Sequence, residues 1–88
     1  VRYYDSERHR QRWAQNLYAA RLNRHLTQAQ LGRLLGIDQQ NISRWERGRS
    51  APRDDMKILL AKFFEVPVTD LFPWLDDDNA NGDEGQAA

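Results

Sequence analysis

The sequence predicts an all-α fold, and three observations carry that reading. Apolar residues recur at helical spacing along most of the chain, no stretch alternates apolar and polar as a strand would, and Gly or Pro stands where each helix has to stop. With 88 residues there is room for one small domain, and a core of that size is built most economically from helices.

Ser6 opens a long first helix whose turns carry Trp13, Leu17, Ala20 and Arg21, with no Gly or Pro before residue 32 to interrupt it. His25 and Leu26 form the break. Thr27, with Gln30 three residues on, makes a T-x-x-Q capping box that opens a short second helix bearing Leu31, Leu34 and Leu35, and Gly36 ends it. The turn Gly36-Ile37-Asp38 follows. Asp38 can cap a third helix, Gln39 to Arg47, with Ile42 and Trp45 on one side and Gly48 at its end. After the break at Ser50-Ala51-Pro52, a fourth helix from about Arg53 to Glu65 presents Met56, Leu60 and Phe64, and Pro67 closes it. Val68 to Leu75 reads as a final short helix, Leu71 and Phe72 inward, whose continuity Pro73 limits. The folded domain is therefore expected over residues 1–75. From Asp76 onward the chain is acidic and nearly bare of packing side chains, so 76–88 is expected to be a disordered tail.

Composition excludes several classes of function. Hydrophobic residues at 40% and charged ones at 30% are globular values. The absence of cysteine removes disulfides, thiolate metal sites and cysteine nucleophiles. The longest apolar stretch, Ile58 to Ala61, is far short of the ~20 residues of a membrane helix, so a soluble, cytoplasmic protein without a membrane partner is expected. There is no Gly-rich phosphate loop and no nucleophile elbow, and an enzyme is not expected. His9 and His25 stand apart and read as surface residues, while Asp76-Asp77-Asp78 lacks the interleaving of a calcium loop, so neither a metal nor another cofactor is expected.

Net charge is zero, yet the two signs are segregated. Residues 1–53 carry eleven arginines against four acids, a surplus of seven positive charges, and residues 54–88 carry two lysines against nine acids, a surplus of seven negative ones. A basic half attracts phosphate; an acidic half solubilises, repels or screens.

Two short helices joined by a turn containing Gly have the geometry of a helix-turn-helix, whose second helix enters the DNA major groove. The outer face of Gln39 to Arg47 sharpens that reading. Gln39, Gln40, Asn41 and Arg44 carry amides and a guanidinium that pair bidentately with adenine or guanine edges, and they lie on the turns that approach the bases. Ile42 and Trp45 fall opposite Gln40 and Arg44 and belong to the core rather than to a base-stacking platform.

Leu26-Thr27-Gln28-Ala29-Gln30-Leu31, Leu35-Gly36-Ile37, Asn41-Ile42-Ser43-Arg44-Trp45-Glu46-Arg47-Gly48, Pro52, Leu60-Ala61, Val66-Pro67-Val68 and Leu71-Phe72 together closely resemble the Cro/C1-type (XRE) helix-turn-helix family of phage and bacterial repressors, over about residues 13–72. The resemblance implies a compact five-helix, lambda-repressor-like domain that binds double-stranded operator DNA, commonly as a homodimer on an inverted repeat. It further implies that Gln28 bonds a phosphate, that Gln39, Gln40, Asn41 and Arg44 face the bases, and that Arg21 pairs with Glu46. Two residues depart from the pattern. Gly32 replaces the usual Ala, weakening the second helix by ~1 kcal/mol unless close packing needs it. Asp38 replaces the usual Ser or Thr cap and puts a negative charge near DNA.

Physical chemistry supports phosphate contacts on separate grounds. Thr27 and Gln28 stand at the opening of the second helix, where their side chains and free backbone N–H groups together can hold a phosphate oxygen, and both are expected phosphate contacts. Arg47, Arg49 and Arg53 surround the loop after the third helix and reach toward phosphates, with a neighbouring minor groove open to Arg53. Ser43 either reaches a phosphate or bonds its own helix backbone. The segment Arg8 to Arg12 either packs beside a partner or touches flanking DNA. Phe72, Trp74 and Leu75 are candidate dimer contacts, the other reading being packing against the first helix near Tyr3, Tyr4 and Trp13. The function expected is that of a sequence-specific transcriptional regulator, a repressor. Its main rival is the antitoxin of a toxin–antitoxin pair, binding a toxin protein as well as DNA.

Overall fold

In a computed structural model that describes residues 6–73, one stripe of the first helix, α1 (Ser6–Asn23), organises the rest: His9, Trp13, Leu17 and Arg21 recur every four residues and all are buried. His9 corrects the sequence reading. It was expected at the surface, yet it is only 5% exposed and its ring stacks on Trp13, centroids 5.3 Å apart. Position explains this, since four residues before Trp13 it continues the inner stripe.

The next two helices begin and end on identifiable caps. For α2 (Gln28–Leu35), the Thr27 hydroxyl oxygen accepts from the Gln30 backbone N–H at 3.0 Å, and Gln30 Oε1 accepts from the Thr27 N–H at 2.8 Å. Gly36, at φ +69°, ends the helix. Gly32 has a different reason to be glycine. A Cβ there would lie 2.5 Å from the Ile37 carbonyl oxygen, so the bare backbone lets the turn fold down onto α2. For α3 (Gln39–Glu46), Asp38 Oδ1 accepts from the Gln40 N–H at 2.9 Å. The helix stops one residue before the expected Arg47. Gly48, at φ +72°, donates to the Trp45 carbonyl and Arg49 to the Arg44 carbonyl, a Schellman closure that leaves Arg47 as the cap.

On α4 (Asp54–Phe64), Leu60, Ala61 and Phe64 are buried, and the last helix, α5 (Val68–Leu71), is half the length its sequence suggested. Pro73 is the cause: a residue before proline is excluded from the helical region, and Phe72 accordingly leaves the helix at φ −128°, ψ 65°.

Leu17, Leu31, Ile42 and Leu60, one from each of the four longer helices, are the largest fully buried side chains. Phe72 joins this core, 2% exposed and edge-on to Trp13. Its ring packs within the monomer against α1, which is the second of the two expected readings of Phe72. Trp13 Nε1 donates to the Pro73 carbonyl at 2.7 Å and Asn16 Nδ2 to the Leu71 carbonyl at 2.9 Å, so α1 holds the segment from α5 to Pro73. Trp74, Leu75, Tyr3, Tyr4 and the expected tail 76–88 lie outside the described residues. Among the described residues, no helix is long and apolar enough to cross a membrane.

Candidate nucleic-acid interface

The orientation of α3 is set from behind. Ile42 and Trp45, 0% and 8% exposed, fix its inner face in the core, and helical geometry then turns Gln39, Gln40 and Arg44 out to solvent. Asn41 and Ser43 are half-buried at its edges. Because α2 packs across α3, Gln28 reaches the same surface, and Gln28, Gln39, Gln40, Ser43, Arg44 and Arg47 line one open cleft. Five residues expected on separate grounds to read bases or hold phosphate thus share a wall with Gln39.

A buried ion pair locks this arrangement. Arg21 Nε and Nη2 donate to the two carboxylate oxygens of Glu46 at 2.7 and 2.8 Å, and Arg21 Nη1 donates to the Leu26 carbonyl at 2.7 Å. The side chains are 9% and 4% exposed. The hydrogen bond to Glu46 holds the guanidinium above its ordinary pKa, against the opposing effect of burial. Glu46 Oε1 also accepts from Gln28 Nε2 at 3.0 Å, so α1, the start of α2 and the end of α3 meet on one carboxylate. Gln28 was expected to bond phosphate. One of its amide N–H groups is instead turned to Glu46, leaving the second amide proton as the donor at the cleft.

Other expected contacts are placed as follows. The Thr27 hydroxyl oxygen is engaged in the α2 cap. Arg44 Nη2 donates to Asn41 Oδ1 one turn earlier on α3. Arg47 and Arg49 are exposed in the turn that closes α3. Arg53 stands at the start of α4 with its side chain 81% exposed, 3.5 Å from Asp55, a solvent pair worth little in stability. Within the basic segment Arg8 to Arg12, one contact was not foreseen from the sequence: Arg10 Nη1 donates to the Arg49 carbonyl at 3.2 Å and ties the arginine-bearing turn to α1. Its register, three residues before Trp13 and seven before Leu17, was the available signal. The surface is donor-rich, cationic and rigidly backed, suited to acceptor groups on a polyanion.

Comparison with known proteins agrees with this chemistry. A family model described as helix-turn-helix matches residues 17–71. The chain is 37% identical over 54 residues to an uncharacterized HTH-type transcriptional regulator, MJ0272, of Methanocaldococcus jannaschii, covering 61% of this chain and 82% of that protein. It is 33% identical over 57 residues to the HTH-type transcriptional activator BcrR of Enterococcus faecalis, covering 65% of this chain and 28% of that protein. No solved structure matches.

Proposed function

The chain belongs to the Cro/C1-type helix-turn-helix family of DNA-binding transcriptional regulators, and from that premise we propose that it reads a specific operator by laying the first turns of α3 in the major groove. The observation that carries this is the outward row Gln39, Gln40 and Arg44 on a helix whose opposite face, Ile42 and Trp45, is fixed in the core. Amide and guanidinium tips pair with adenine and guanine edges, and a rigid backing keeps their spacing matched to the bases. Gln28, Ser43, Arg47, Arg49 and Arg53 supply phosphate contacts that fix register without reading sequence, with Thr27 ordering the turn that presents Gln28.

We assign the active form as a homodimer on an inverted repeat, because one copy offers only a single short helix to the groove and two copies double the base contacts. Repression is the sign of regulation we assign, exerted by a dimer seated on an operator that overlaps a promoter. Selection of binding sites from random duplex DNA by the purified chain tests the reading. The expected product is an enriched inverted repeat whose half-site centres lie about one helical turn, ~34 Å, apart. A pool that stays random after selection, while still binding, would reduce the protein to an electrostatic coat.

A further inference from the structure

We propose that Arg44 reads a guanine and that Asn41, rather than reading a base itself, holds Arg44 in the reading position. This rests on the major-groove reading of α3 and names the base that it recognises. Asn41 and Arg44 are three residues apart on one helix, the separation at which side chains stand over each other, and Arg44 Nη2 donates to Asn41 Oδ1. Asn41 is half-buried, Arg44 exposed. The tether therefore runs from a shorter, half-buried side chain to a longer one that is exposed.

Two consequences follow from the donor inventory. A guanidinium has five N–H donors and no acceptor; with one given to Asn41, a pair of parallel N–H groups is still left for another acceptor pair. Guanine offers two adjacent acceptors in the major groove, O6 and N7, whereas adenine pairs an acceptor with a donor, cytosine presents a donor, and thymine a lone acceptor beside a methyl group. Only guanine matches a donor-only fork. Asn41, for its part, would need its carbonyl oxygen and amide nitrogen together in the plane of an adenine edge, and that oxygen is turned along the helix to Arg44. An untethered arginine also loses more rotamer freedom on docking, and Asn41 removes part of that loss before DNA arrives.

The test uses the full chain and the site enriched from random DNA, read by fluorescence anisotropy. Within each half-site one guanine is expected at which replacement by 7-deazaguanine, lacking N7, or by another base weakens wild-type binding roughly 5- to 100-fold. In Arg44→Ala that sensitivity disappears at this one base pair. Asn41→Ala is expected to shrink the guanine preference at the same pair and to leave the others unchanged, with thermal melting showing that the fold persists. Asn41→Asp keeps an acceptor for Arg44 and is expected to restore the preference ratio, even as its added charge weakens all sequences alike. Relaxation at a different base pair in Asn41→Ala, or an unaltered guanine ratio, would overturn the tether. Failure of random DNA to yield any enriched site would instead defeat the underlying major-groove reading.

Discussion

Glu46 accepts hydrogen bonds from both Arg21 and Gln28 while 4% exposed, so its removal leaves a buried guanidinium without its counter-charge. Glu46→Ala is expected to cost about 3–5 kcal/mol in denaturant unfolding, a large share of the stability of a domain this small. The double change Arg21→Met with Glu46→Leu should recover part of it, since no charge is left unpaired, the remaining loss being the Leu26 carbonyl and Gln28 amide deprived of their partners. Gly32 makes a second sharp case. On helix propensity alone Gly32→Ala gains ~1 kcal/mol, but the Cβ would meet the Ile37 carbonyl at 2.5 Å, and backbone cannot yield as a flexible side chain does. A net loss of stability is expected; a rise in melting temperature would show that the α2–α3 turn relaxes freely. The Arg21–Glu46 pair was available beforehand only through family resemblance, since nothing in the spacing of residues 21 and 46 brings them together. The involvement of Gln28 was not visible at all, because it depends on how α2 crosses α3.

The capping residues made the helix boundaries legible: Thr27, Gly36, Asp38 and Gly48 each occur where a helix begins or ends. Asp38 serves two opposed ends, stabilising α3 while setting a carboxylate near the cleft. Asp38→Ala is expected to cost about 1 kcal/mol of stability. Asp38→Asn should cost less and should raise affinity for every DNA sequence at low salt; a melting loss equal to that of Asp38→Ala would mean that its charge, not its cap, matters. The last helix ends earlier than its periodicity suggests because Pro73 constrains Phe72 as well as limiting continuity. Its anchor is Trp13, whose indole bonds the Pro73 carbonyl at 2.7 Å. Trp13→Phe should cost about 1–3 kcal/mol, the lost hydrogen bond together with the space left by the smaller ring, and speed hydrogen exchange at the Leu71 and Phe72 amides ahead of those in α3. The burial of His9 is legible only from its place on the α1 stripe, four residues before Trp13.

Across the whole chain, zero net charge conceals a positive half and an equally negative one, and the positive half contains α1, α2 and α3. Phosphate contacts made by that half release counterions, so affinity should fall steeply with salt. Arg49→Ala should weaken binding to all sequences alike and lower the magnitude of the log–log salt slope by about 1, whereas Gln40→Ala should leave the slope unchanged. The fold class, the element order and the outward face of α3 were legible because they follow from periodicity, caps and turn glycines. The contacts between elements, Arg10 with Arg49 and Gln28 with Glu46, were not, because they arise only when distant segments pack. The most direct measurement is a competition titration of wild type and Gln40→Ala, each against the enriched duplex and a scrambled one at a single salt concentration. The expected result is a wild-type preference of ~10³ or more for the enriched duplex, from which Gln40→Ala loses ~1–3 kcal/mol while its binding to scrambled DNA is unchanged. Equal losses on both duplexes, or scrambled DNA competing as well as the enriched site, would contradict base reading by α3.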